Sequence, residues 1–390
     1  MLLIKTAFKN IIGAGKLTWL NVTVISLTLV VMIAFTGIID GYIEEARYET
    51  RSWETGAGQI WHPEYDRFDV FTLQDAHGII PTKLKDCINS GSAVQILVTQ
   101  ATIYPQGRMQ NVVLKGIPTS QKLLKLPTQE LKSDLYGIPC IIGTRMAKSA
   151  DLKIGDAVML RWRDKNGVFD AREIVVAHIF DTKVPSVDAG QIWLDLETLY
   201  EMTGMHGEAT FFVITENSPV NTDIEGWMFK DEKFLMIDID LIEQSSRVES
   251  VIIFAILLSI SLLAVFDTQI LSIFRRQKEI GTYVALGMTP RKVTALFTIE
   301  GTTYSILAIM AAFIWGTPFL YWFSKVGMPM TDVYGDLGMA IGDALLPVYK
   351  LSSVLITVAA VIIFSALISY LPARKIANQN MVNALKGKIT

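Results

Sequence analysis

Charged side chains are missing from three long stretches of this chain, residues 17–39, 301–324 and 351–373, and a fourth, 250–274, is broken only by Asp267. Each is about two dozen residues long, enough for a helix to cross a hydrocarbon core of about 30 Å. One such stretch alone also suits a buried helix in a large soluble core. Four of them predict four membrane spans. The first is preceded by residues 1–16 and followed by no small-residue cleavage pattern, so it reads as a retained signal-anchor rather than a cleaved leader. In "MLLIKTAFKNIIGAGK" the apolar residues recur at helical spacing while Lys5 and Lys9 share the opposite side. That pattern predicts an interfacial amphipathic helix over 1–16.

Residues 40–249 alternate two periodicities. Segments 94–104 and 111–117 read as strands, and 157–180 as a hairpin turned at Asn166-Gly167. "QIWL" and "TFFVIT" add further strands. Helices are predicted for 195–204, between an Asp cap and a terminal Gly, and for 221–234. The mixture predicts an α+β domain. Charged residues from Glu44 to Glu49 and from Glu243 to Arg247 suggest that the flanking helices run on past the membrane as stalks. The expected fold class is an α-helical membrane protein with four transmembrane helices and a large α+β extracytoplasmic domain between the first and second.

Charge then sets orientation. Residues 1–16, 275–300 and 374–390 hold 12 Lys/Arg against two acids, whereas 40–249 holds 21 against 32. Basic flanks stay cytoplasmic, which puts both termini and the 275–300 loop inside, and 40–249 and the loop 325–350 outside. The basic residues are accounted for by topology, and no basic face with interleaved aromatics points to nucleic acid. Cys87 and Cys140 both fall in the outside segment, where they either pair or stay free.

Several chemistries have no sequence basis. No G-x-x-x-x-G-K-[ST] is present, so the chain lacks a nucleotide-binding P-loop. His62, His77, His178 and His206 share no metal-ligand spacing, and no G-x-S-x-G elbow marks a hydrolase. Asp267, near the inner end of its span, is expected to snorkel or pair with Arg275 or Arg276; a proton or ion relay is the alternative.

The loop 275–300, "RRQKEIGTYVALGMTPRKVTALFTIE", is built more elaborately than a connector needs. Ile280, Tyr283, Val284 and Gly287 follow i, i+3, i+4, i+7, and Val293, Leu296, Phe297 and Glu300 repeat the pattern after a break. Gly287 suits a left-handed C′ position, Thr289 an N-cap and Pro290 a first helical turn. A short helix, a sharp turn and a second helix leading into the next span are predicted. Such a structured helix suits docking on a soluble partner, or alternatively lying flat on the membrane.

This loop resembles the signature of the FtsX/MacB-type permeases of ABC transporters, R-x-x-E-I-G-x-x-x-A-L-G-A/M followed by F-x-x-E-G. The matching positions are Arg276 (or Arg275), Glu279, Ile280, Gly281, Ala285, Leu286, Gly287, Met288, Val293, Phe297, Glu300 and Gly301. "LPARKIANQNMVNALKG" is similar to that family's C-terminal signature at Pro372, Ala373, Arg374, Ala377, Val382, Ala384, Leu385 and Gly387, with Ile376 and Met381 as departures. The resemblance implies a non-catalytic bacterial inner-membrane subunit whose loop, including Pro290 and Arg291, forms a coupling helix on a separate cytoplasmic ATPase dimer. It implies no cofactor in this chain, ATP and Mg being bound by the partner, and pairing with a second, identical or homologous permease chain among membrane lipids. Within the outside segment, "TGAGQIWHPEYDRF" and the run with Ile141, Ile142, Gly143, Ala147, Leu152, Gly155 and Asp156 resemble the LolC/LolE lipoprotein-releasing branch. Release of lipoproteins is therefore expected. MacB-like export of drugs, peptides or glycolipids with periplasmic partners, and FtsX-like signalling to a cell-wall hydrolase, remain as alternatives.

Overall fold

The computed structural model describes residues 16–133, 136–216, 218, 224–329 and 344–377. Most of the segment expected as an interfacial helix (residues 1–15), residues 330–343 of the loop 325–350 and the tail from 378, Leu385 included, lie outside the described residues. The chain divides into two compact units, one built mainly from residues 43–241 and the other from the helical segments on either side.

Helix α1 (Lys16–Thr50) runs on into a π-helical turn, Arg51–Thr55. The unit that follows contains β1 (Gly58–Trp61), α2 (Thr82–Asn89), β2 (Ala93–Ile103), β3 (Gln110–Ile117), β4 (Ile138–Gly143), α3 (Thr144–Ala150), β5 (Ala157–Arg163), β6 (Phe169–Phe180), β7 (Gln191–Asp195), α4 (Leu196–Thr203), β8 (Phe211–Ile214) and β9 (Met228–Asp231). The sheet order is β9-β1-β8-β2-β3-β7-β4-β6-β5, and a further pairing of β5 with β2 closes six of these strands into a ring. Closure depends on β2, whose 11 residues pair with β8 through 93–96 and with β5 through 101–103.

Alternation along the strands sorts side chains between the two faces. Leu97, Ala101 and Ile103 join Val158, Leu160 and Trp162 in one buried cluster. Val94, Ile96 and Val98 face the other way, toward Trp61, Trp193 and Phe211. Cys140 belongs to the first of these clusters and Cys87 to a third; both are buried and free, so the pairing alternative is set aside.

One expected element is wrong. The span 221–234 is expected to be helical, yet among its described residues Met228–Asp231 is a strand against β1, Gly226 has φ 78°, and only Glu232–Leu235 is helical. The sheet edge offered by β1 decides the conformation there, since pairing overrides a weak helical preference.

The second unit comprises α1 up to residue 42 and α5 (Ile237–Arg275) from residue 242, with α6 (Gln277–Ala285), α7 (Pro290–Ala311), α8 (Thr317–Val326) and α9 (Leu351–Ala377). A π-helical turn, Ala312–Gly316, joins α7 to α8, whose first turn carries Pro318. Among the described residues four helical stretches are long and apolar enough to cross a membrane: Thr18–Thr55, Ile237–Arg275, Pro290–Val326 and Leu351–Lys375. These exceed the charge-free windows because backbone hydrogen bonding continues through polar residues once a helix is nucleated.

Close packing here depends on small residues. A Cβ at Gly301 of α7 would overlap the Ser369 hydroxyl of α9 and approach the Gln269 amide of α5. Helices α7 and α9 therefore pack closely beside the end of the bundle that carries α6, and the Gln269 side chain of α5 reaches the same point.

Candidate functional site

The turn between α6 and α7 has the conformation its sequence predicts. Gly287 sits at φ 91°, open only to glycine without strain. Thr289 is extended at φ −70°, ψ 150°, and Pro290 opens α7. Thr289 caps with its backbone carbonyl, which accepts from Lys292 N (2.9 Å) and Val293 N (3.2 Å), and not with its side chain.

Arg276 holds this element together. Its Nε donates to Glu279 Oε2 at 3.0 Å, and its Nη1 donates to both carboxylate oxygens of Glu300, at 3.1 and 3.3 Å. The guanidinium also lies 5.3 Å from the centre of the Phe297 ring. Glu300 is only 1% exposed. A carboxylate so desolvated needs a charged, hydrogen-bonded partner, and Arg supplies a planar fork for it. Of the two arginines the sequence offered, Arg276 fills the role; Arg275 is exposed at the end of α5. Asp267 is exposed on α5 and, among the described residues, enters no ion pair. Its expected pairing with Arg276 does not occur, because Arg276 is already engaged by Glu279 and Glu300.

Below this node, Ile273, Ile280, Val293, Phe297 and Ala373 form a compact cluster, with Val284 and Met288 packed against it. The loop's predicted residues thus separate into two sets. Arg276, Ile280, Gly281 and Met288 face inward and build the element. Glu279, Ala285, Leu286, Gly287, Pro290 and Arg291 are exposed, and Leu286 is 81% exposed despite being apolar.

The tail motif divides similarly. Pro372 and Ala373 are buried in α9, whereas Arg374 is exposed and lies 6.0 Å from the Tyr370 ring. Ala377 closes α9, and Leu385 is not among the described residues. Arg374 does meet the loop: with Pro290 and Arg291 it lines one concavity of about 670 Å³ between α7 and α9. Phe297, Glu300 and Gly301 match the motif, but their sequence positions reveal no role. Their role is to anchor α6 onto α7 and to let α9 approach.

In the sheet unit, the run starting at Ile141 has a packing role. Gly143 precedes α3, whose first amides are capped from a distance: Asp188 accepts from Arg145 N (2.9 and 3.1 Å) and Met146 N (3.3 Å). Arg145 Nη1 completes the pair at 3.0 Å. Any Cβ at residue 143 would overlap the Asp188 carboxylate, which is fully buried. Asp156 Oδ2 accepts from Lys153 N at 2.8 Å, and Gly155 has φ 89°. One buried amine in this unit had no sequence signal. Lys115 of β3 lies 5.0 Å from the centre of the Trp193 ring, and burial lowers its pKa from 10.5 to about 8 against the opposing pull of Glu54.

Residues 251–381 match the model of the FtsX-like permease C-terminal family. The matched stretch takes in α6, α7 and α8 whole, and with them every exposed and inward loop residue named above. With the four apolar helices, the match supports an FtsX/MacB-type permease, a non-catalytic multi-pass membrane subunit of an ABC transporter, and this family implies a cytoplasmic ATPase partner. No curated protein matches the chain.

Proposed function

We propose that this permease couples ATP hydrolysis by a separate cytoplasmic ATPase dimer to mechanical motion of its extracytoplasmic α+β domain, and that the work done is release of lipoproteins from the bacterial inner membrane. The observation that carries the coupling role is the Arg276 node. A loop needed only to join two spans has no use for a buried Arg–Glu pair and a dedicated apolar cluster. A helix that must transmit force has, because docking energy reaches the spans only through a rigid element. Glu279, Leu286 and Arg291 form the outward face for the ATPase, while Arg276 and Glu300 carry displacement of α6 into α7.

Both termini and the α6–α7 turn are assigned to the cytoplasm by the excess of Lys and Arg there. Lipoprotein release is favoured over export by the resemblance of residues 141–156 to the LolC/LolE branch. The length of the outer domain disfavours a signalling scaffold. Affinity purification of the detergent-solubilised chain from its own host tests the whole reading. Co-purification of an ABC ATPase, a second permease chain and lipidated protein is the expected result. An ATPase accompanied by a periplasmic adaptor and no lipoprotein would replace release with export, and recovery of no ATPase would overturn the coupling assignment.

A further inference from the structure

The concavity between α7 and α9 shares Arg291 with the face proposed for the ATPase and adds to it a chemistry of its own. From α7 it takes Arg291, Thr294 and Thr298, and from α9 Tyr370 and Arg374, around about 670 Å³ of open volume. Among the described residues neither arginine enters an ion pair, and the one described contact of the Arg374 guanidinium is the Tyr370 ring at 6.0 Å. Arg67, Arg145, Arg247 and Arg276, by contrast, all hold carboxylates. Two guanidinium groups outside any described ion pair, lining one concavity from separate helices, are suited to a phosphate group. Arg291 also lies in the first turn of a 22-residue helix, where the helix dipole adds to the positive potential.

We propose that this concavity binds the phosphate-bearing headgroup of an anionic phospholipid. A free phosphate would present the same anionic oxygens, but the groove continues in a way only a lipid exploits. Along α9, Ile363, Leu367, Tyr370 and Arg374 succeed one another at steps of four, three and four residues, and so share one face. Ile363 and Leu367 are each 56% exposed. The stripe passes from apolar to aromatic to cationic, the order of tails, interface and headgroup in a phospholipid. On α7, Thr298 and the exposed Ile306 continue from Arg291 in the same sense. The Thr294 and Thr298 hydroxyls donate to carbonyls one turn back, at 3.0 and 2.9 Å, so they line the groove without an unmet donor.

The site goes beyond the coupling reading and is tested without any ATPase. The full-length chain, delipidated in neutral detergent, is titrated with dioleoyl phosphatidylglycerol, with dioleoyl phosphatidylcholine and with inorganic phosphate, and bound species are counted by native mass spectrometry. Phosphatidylglycerol should be retained in preference to phosphatidylcholine. R374Q should weaken its retention about fivefold, the loss anticipated for one basic residue at an anionic headgroup. R374K should recover part of it, which a misfolded variant would not. T298W, which fills the groove without altering charge, should also block retention. Equal retention of the two lipids, or phosphatidylglycerol retention unchanged in both R374Q and T298W, would overturn the site. Binding of inorganic phosphate without phosphatidylglycerol would overturn the lipid as its occupant.

Discussion

Two buried carboxylates, Asp188 in the sheet unit and Glu300 in the helical one, solve the same electrostatic problem for different purposes. Each takes an arginine: Arg145 Nη1 at 3.0 Å for Asp188, and Arg276 Nη1 at 3.1 Å for Glu300. Asp188 spends its remaining acceptor capacity on backbone amides of α3, so it fixes local geometry inside one packed layer. Glu300 instead shares its arginine with Glu279 of α6, and thereby ties the exposed helix α6 to α7, which enters the bundle. The first pair is a permanent part of a core. The second is a joint, with one carboxylate buried and the other 57% exposed.

That difference sets the order of expected effects. Replacing the fully buried Asp188 by Ala takes the acceptor from two helix amides and the carboxylate from Arg145, and should cost near the top of the ~3–5 kcal/mol typical of breaking a buried pair. The check is hydrogen exchange on the full chain: protection should fall at 144–150 and stay unchanged at 277–285. Arg276→Ala should cost a comparable amount within the same ~3–5 kcal/mol range, because it takes the guanidinium away from a Glu300 side chain that is only 2% exposed. Here the pattern should invert, with α6 losing protection and α3 keeping it. Loss of protection in both regions from either variant would mean that the two pairs do not mark separate local structures.

Lys115 provides a third, smaller contrast, since it is buried without a carboxylate at hydrogen-bond distance. Its pKa falls from 10.5 to about 8 on folding, chiefly by burial. Between those values the unfolded chain binds more protons than the folded one, so stability rises with pH across that window and the penalty is fully present below pH 8. Lys115→Met should therefore raise the unfolding midpoint at pH 7, by an amount equivalent to at most roughly 3 kcal/mol. The gap between variant and wild type should narrow from pH 8 to 10. A gap that stays constant with pH would show that the gain came from packing and not from the charge.

How much of this was legible in the sequence follows from the range of each interaction. The α6–α7 turn was readable because Gly287, Thr289 and Pro290 act on their own neighbours. The hairpin at Asn166-Gly167 was readable for the same reason, and Gly167 has φ 85°. The strand at 228–231 was not, because only the edge of β1 makes that segment extended. Closure of the six-stranded ring through β2 and β5 was equally hidden, being a pairing of residues some sixty positions apart. The helix cap on α3 comes from a residue 43 positions away, so no local pattern could announce it. In the candidate site, the motif identified which residues matter but not how they divide. Only burial distinguishes Ile280 and Gly281, which build the loop, from Leu286 and Arg291, which are presented on its surface.

The smallest expected change in stability carries the largest functional claim. Leu286→Glu and Arg291→Glu alter exposed positions away from the Arg276 node, and should shift stability by no more than about 0.5 kcal/mol. Combined in one full-length variant and reconstituted with the partner ATPase, they should leave membrane insertion and α6 protection as in the wild type while uncoupling ATP hydrolysis from transport work. Undiminished ATP-driven activity in that variant, with α6 intact, would contradict the assignment of this face to the ATPase.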